Sequence, residues 1–191
     1  MGESAKEAIL AAARRTAQAH GYAGLNFRDI GAEVGIKAAS IYHHFASKAD
    51  LGAAVAKRYW EDTAAELEAL SAATGDPLKA LRAYPRLFRR SLEEDNRMCL
   101  ASFMAAETDD LPDTVKSEVQ TFADVNVAWL AKMLSASLPK GESETRARAI
   151  YAAIAGAQLI ARSRKDLRLY DTLVESFFRS GLIPTWKSRR A

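Results

Sequence analysis

Apolar residues recur at three- and four-residue spacing along almost the whole chain, and no run alternates apolar with polar positions. The pattern predicts an all-α protein. Ser4 and Glu7, three apart, form a capping box that opens a first helix. Its inward face carries Ile9, Ala12, Ala13 and Thr16, and Gly21 ends it. Asn26 precedes Phe27, Ile30 and Val34, with Asp29 at the third helical position, so a short helix begins there and stops at Gly35. A second short helix is expected over about 37–44, anchored inward by Ile41 and Phe45. Ser47 and Asp50 form another cap, opening a long helix over 48 to about 70.

Thr74-Gly75 then breaks the chain, and Asp76-Pro77 restarts it as N-cap plus first-turn proline. The next helix is expected to reach about 95, with a kink at Pro85, which has no N–H to donate. Further helices are expected over about 98–107, from Asp110-Leu111-Pro112 onward, over 143–163 and over 166–180. Leu138-Pro139-Lys140-Gly141 reads as a turn, and Gly181 with Pro184 as the final stop. In the helix after Pro112, the stripe Val115, Val119, Phe122, Trp129 and Met133 is interrupted only by Asn126.

Two short helices on a tight glycine turn, preceded by a longer helix, make a helix-turn-helix. The second short helix has the size to enter a DNA major groove. With Ile41 and Phe45 inward, its outward positions are Lys37, Ala38, Ala39, Ser40, Tyr42, His43 and His44. Small residues at 38–40 permit close approach to base edges. Tyr42 and His44 can reach phosphates or bases, and the Lys48 ammonium can meet a phosphate.

Charge changes this picture modestly. The net charge of +3 lies wholly in residues 1–58, which hold eight Lys/Arg and five Asp/Glu; the remainder holds nineteen of each. A local basic excess suits a surface that faces phosphates. Hydrophobic residues make up 49% and charged residues 27%, which suits a soluble globular domain. The single cysteine, Cys99, precludes an internal disulfide. With no run of about eighteen apolar residues and no signal pattern at the N-terminus, a cytoplasmic protein without a membrane span is expected.

The stretches Ile9-Leu10-Ala11-Ala12-Ala13, His20-Gly21-Tyr22, Asn26-Phe27-Arg28-Asp29-Ile30, Gly35-Ile36-Lys37-Ala38-Ala39-Ser40-Ile41-Tyr42-His43-His44-Phe45 and Ser47-Lys48-Ala49-Asp50-Leu51 together resemble the DNA-binding domain of the TetR/AcrR family. The resemblance implies a nine-helix subunit, a homodimer, and repression of a palindromic operator relieved by a small-molecule effector. It places Arg28, Ala38, Ala39, Ser40, Tyr42, His44 and Lys48 at DNA-facing positions. Arg28 is then the expected reader of a guanine, and Tyr42 and Lys48 the phosphate contacts. Where the family often has Thr, this chain has Asn26, which also caps a helix. Where the family often has Ala, it has Gly31, expected to loosen the first short helix slightly.

The remaining two-thirds is the expected effector and dimer region, so the chain divides into residues 1–50 and 51–191, with the long helix over about 48–70 bridging both. The penultimate helix carries Ala147, Ala152, Ala153, Ala155, Gly156 and Ala157, and the last carries Leu169, Leu173, Val174, Phe177 and Phe178. These two could form a four-helix interface with their symmetry mates. Tyr84, Phe88, Cys99, Phe103, Phe122, Asn126, Trp129 and Met133 form an aromatic-rich set with few polar groups, the make-up of a small-ligand pocket. The bland reading of the stripe Phe122, Trp129 and Met133 is plain core. Cys99 is a small buried residue on one reading and a thiol activated by Arg97 on the other.

His43 and His44 are adjacent and lack a third ligand, so no metal is expected, and no cofactor either. His20 reads as a solvated helix-end residue, and Arg89-Arg90 and residues 187–190 as solvated charge. No phosphate loop, nucleophile elbow or metal-spaced cluster points to an enzyme. The rival readings are a helical ligand-binding protein without an operator, and a regulator that acts as an activator.

Overall fold

The computed structural model describes residues 2–184, with side chains from Ala5 onward. Its helices are α1 (Gly2–His20), α2 (Phe27–Val34), α3 (Ala38–Tyr42), α4 (Lys48–Thr74), α5 (Pro77–Ala83), α6 (Pro85–Glu93), α7 (Leu100–Ala106), α8 (Asp113–Leu134), α9 (Lys140–Arg164) and α10 (Leu167–Arg179). A 3-10 turn over Thr108–Asp110 precedes α8. There is no strand among the described residues. The nine expected helices are present, with the fifth divided into α5 and α6. Pro85 cannot donate to the carbonyl one turn back, and Leu87 N–H instead donates to Tyr84 O at 3.1 Å.

Most boundaries follow local chemistry. Asn26 Oδ1 accepts from Arg28 N–H at 2.8 Å, and Asp76 Oδ1 from Leu78 N–H at 2.8 Å. Ser47 and Asp50 bond reciprocally: the Ser47 hydroxyl donates to the carboxylate at 2.8 Å, and Asp50 N–H donates back at 3.1 Å. Two expectations needed correction. The α1 helix runs back to Gly2, placing Ser4 inside it instead of at its cap. The turn expected at Leu138-Pro139-Lys140-Gly141 is shorter, because α9 starts at Lys140 directly after Pro139. Ser143, expected as a helix start, is buried inside α9 with its hydroxyl donating to Lys140 O at 2.8 Å. Residues 187–190, expected as solvated charge, lie outside the described residues.

The chain packs as two compact units, Met1–Asp62 with Cys99–Phe122, and Thr63–Met98 with Ala123–Ala191. In the first, Ile9, Ala13, Ile30, Ile41, Leu51, Leu100, Met104 and Val115 form the buried centre. Tyr59 stacks on Phe122 with ring centroids 5.2 Å apart. In the second, Leu67, Leu81, Tyr84, Leu130, Leu134, Ile150, Ile154 and Tyr170 are buried. Its interior polar groups are bonded: Gln158 Nε2 donates to Phe88 O and Tyr170 Oη to Pro85 O, each at 2.7 Å. Among the described residues no helix is long and apolar enough to cross a membrane.

Candidate nucleic-acid interface

The angle between α2 and α3 is set by backbone packing. Gly35 adopts a left-handed conformation (φ 77°), and Ile36 N–H donates to Gly31 O at 2.9 Å. A Cβ on Gly31 would lie 2.8 Å from Ile36 O and 3.3 Å from Ala38 N. Gly31, expected to loosen α2, thus has a packing role as well: it lets the turn and the start of α3 close onto the helix.

Ile41 and Phe45 point inward and are buried, as expected from their spacing. Phe45 N–H donates to Ile41 O at 2.9 Å, a last turn beyond the short α3. Lys37, Ala39, Tyr42 and His43 are exposed, and Ala38, Ser40, His44 and Lys48 half-buried. Tyr42 keeps 59% of its surface exposed although its ring meets Phe27 edge-on at 4.7 Å. Phe27 thus fixes the ring while the phenol edge stays outward. The Arg28 side chain is 88% exposed. Arg28, Ala38, Tyr42 and Lys48 share one shallow groove of about 350 Å³ with Asn26. Lys37, Ala39, Ser40, His43 and His44 do not line it.

Sequence reasoning missed the support behind Lys48. Its ammonium donates to Ala23 O at 2.9 Å and lies 4.7 Å from the Tyr22 ring centre. That loop is held in turn by Glu107, whose carboxylate accepts from Tyr22 N–H at 2.6 Å and Ala23 N–H at 3.2 Å. No local signal could have revealed the pairing, because Glu107 is 85 residues from Tyr22.

The eight candidate effector residues divide between the units. Tyr84 is a hub in the second: its hydroxyl donates to Asn126 Oδ1 at 2.9 Å, its ring stacks on Trp129 at 5.7 Å, and Phe88 meets it edge-on at 5.6 Å. Trp129 Nε1 donates to Ser71 Oγ at 2.9 Å, and Met133 Sδ lies 3.7 Å from the same hydroxyl. Asn126, the polar interruption of the apolar stripe, thus has Tyr84 as a partner. Cys99, Phe103 and Phe122 belong to the first unit. Cys99 is 1% exposed, and burial pushes its thiol pKa up despite bonds to Ser102 and Tyr59. Arg97 pairs with Asp95 at 2.8 Å. The buried-residue reading of Cys99 is therefore the one the geometry supports.

An exposed recognition helix, braced at a fixed angle and flanked by Arg28, Tyr42 and Lys48, defines a helix-turn-helix DNA-binding protein with a helical body. The sequence pattern of the tetR family of bacterial regulatory proteins matches residues 9–55, and that of the LmrA/YxaF-like transcriptional regulator C-terminal domain matches residues 77–175. The chain belongs to the tetR family and is a DNA-binding transcriptional regulator, not an enzyme. It is similar to a TetR transcriptional regulator from Legionella pneumophila, at 28% identity and TM-score 0.87, over 92% of this chain and 96% of that one. A TetR-family regulator from Agrobacterium tumefaciens has the same identity and TM-score, over 94% and 98%. E. coli NemR in its reduced form, at 22% identity and TM-score 0.79 over 92% and 96%, shares the fold. No curated protein matches the chain.

Proposed function

We propose that this protein is a repressor which binds a palindromic operator as a two-fold dimer and leaves it when a small molecule occupies its helical body. The observation that carries the reading is the outward face of α3 beside the groove that gathers Arg28, Ala38, Tyr42 and Lys48. Arg28 is the reader of a base edge. Lys48, already oriented by Ala23 O, meets a phosphate together with Tyr42. Lys37, Ala39, Ser40, His43 and His44 complete the face presented to the major groove. Residues 1–50 serve DNA and residues 51–191 serve effector and partner, with α4 common to both.

A dimer through α9 and α10 is supported by two apolar side chains left in solvent on α9, Leu159 at 52% and Ile160 at 47% exposure. Nothing within 4 Å would meet a Cβ on Gly156. Small residues with open space beside large exposed ones suit a close helix pair across a two-fold axis. The effector is proposed to enter around Tyr84, Phe88, Asn126, Trp129 and Met133, with Cys99, Phe103 and Phe122 as the remaining candidates. It would compete for the Tyr84–Asn126 bond and need only favour the state that cannot bind DNA, by about 1.4 kcal/mol for each tenfold shift.

Selection from random duplexes tests the reading. Inverted half-sites centred about one helical turn apart are expected, bound by a dimer with affinity that falls steeply with salt. Recovery of no inverted repeat would sink it.

A further inference from the structure

Outside both proposed sites, α5, α6 and α10 enclose an open cleft of about 840 Å³, within the second unit alone. Its walls carry five cations, Lys79, Arg82, Arg86, Arg89 and Arg90, against three carboxylates, Glu93, Asp171 and Glu175. The cations do not share the same surroundings. Arg89 is neutralised by Asp171, with Nε donating at 2.7 Å and Nη2 at 3.0 Å, and it also pairs with Glu93. Arg90 pairs with Glu66 at 2.5 Å. Lys79, Arg82 and Arg86 are exposed and have no carboxylate partner among the described residues. Spaced three and four apart, they lie in one line along α5 and the start of α6.

The floor has the opposite character. Val174 and Phe178 of α10 and Pro85 of α6 line it. The Tyr170 hydroxyl is turned into the protein by its bond to Pro85 O. The Arg82 guanidinium lies 5.7 Å from the Phe178 ring centre. Stacked this way, the group is held in place while its N–H edge stays free to accept a planar anion. Three unpaired cations on the rim of an apolar floor, at a volume typical of small-molecule sites, select a charge and a body together.

We propose that this cleft is a second ligand site, which takes an amphipathic anion: a carboxylate or comparable headgroup held by Arg82 and Arg86, with Lys79 nearby, and an apolar body laid on Val174 and Phe178. The site is separate from the aromatic group around Tyr84. Of the α10 residues expected at the dimer face, Val174 and Phe178 line the cleft instead; Leu169, Leu173 and Phe177 are centred about 120° around the helix from them, which leaves a separate face for a partner. The carboxylate of Glu175, the lining acid with no ion pair among the described residues, opposes the bound anion and sets a limit on its affinity.

Decanoate, decanol and acetate titrated calorimetrically into the full-length protein supply the test. Decanoate should bind at one site per protomer, decanol at least tenfold more weakly, and acetate without measurable heat. Arg82→Ala with Arg86→Ala should weaken decanoate at least tenfold, while Glu175→Gln should strengthen it several-fold. All three positions are exposed, so these variants should keep the fold and the ligand-free DNA affinity. The arginine Nε–H resonances of Arg82 and Arg86 should shift on binding. Equal affinity for decanoate and decanol, no decanoate binding, or full binding by the double arginine variant would each overturn the proposal. Operator binding measured without decanoate reads the repressor function separately.

Discussion

Removing the Glu107 carboxylate should loosen the DNA-binding head without touching its recognition helix. Glu107 holds the loop after α1 through two backbone N–H groups, at 2.6 Å from Tyr22 and 3.2 Å from Ala23. A hydrogen bond to a charged group contributes about 1.5–3 kcal/mol. The Ala23 bond is exposed and water can replace it, so most of the effect comes from the part-buried Tyr22 bond. Glu107→Ala should therefore lower local stability by about 2 kcal/mol, and Glu107→Gln by about half of that. Native-state hydrogen exchange reads this directly: the Tyr22 amide should exchange about thirtyfold faster in Glu107→Ala, since 1.4 kcal/mol corresponds to about a factor of ten. Gly21 provides a check on the cause. Its φ is 69°, and a Cβ there would lie 2.3 Å from Glu107 Oε2. Gly21→Ala should cost roughly 1–2 kcal/mol from the left-handed backbone alone. It should cost about 2 kcal/mol more where the carboxylate is present to be displaced. In the Glu107→Ala background only the first part should remain. Because Ala23 O orients Lys48, Glu107→Ala should also weaken operator binding similarly for all sequences. Unchanged Tyr22 exchange in Glu107→Ala, or full additivity with Gly21→Ala, would refute the clasp.

Four other outcomes are expected. Lys48→Ala should weaken DNA binding uniformly and flatten its salt dependence, whereas Arg28→Ala should relax preference at one base pair per half-site at about 1–3 kcal/mol; retained preference in Arg28→Ala would remove its role as reader. Tyr84→Phe, by deleting the buried bond to Asn126, should cost about 1–2 kcal/mol in urea unfolding and change the response to an inducer, an effect that Trp129 fluorescence would follow; an unaltered response would move the effector site elsewhere. Burial raises the pKa of the Cys99 thiol and the Tyr59 phenol above their ordinary 9.0 and 10.0, so the unfolded chain gives up these protons first. Stability should be level below about pH 9 and fall as pH rises beyond it, by up to about 1.4 kcal/mol per pH unit for each group; a urea midpoint that stays constant to pH 10.5 would contradict this. Gly156→Leu, filling open space on α9, should leave the protomer folded but yield monomers in sedimentation, and an intact dimer would place the interface on another face.

The sequence by itself determined most elements and the buried side of α3, because those rest on interactions within a few residues. Asn26 caps α2 through an N–H two residues on, Gly35 supplies a left-handed turn, and Ile41 and Phe45 turn inward together at a spacing of four. Once these are known, Ala39 and His43 have to point the other way and Tyr42 to the exposed flank. Tertiary structure alone decided what stands behind that face. Glu107 reaches Tyr22 across 85 residues, and Gly31 is required by the nearness of Ile36 O, not by helix propensity. It also decided the partner of Asn126: a buried amide in an apolar stripe announces that it needs one, but only packing makes it Tyr84. The line of cations at Lys79, Arg82 and Arg86 reads in sequence as an ordinary solvated face. It becomes one wall of a cleft when α10 brings Val174 and Phe178 opposite, a juxtaposition of residues about ninety positions apart that no local rule encodes.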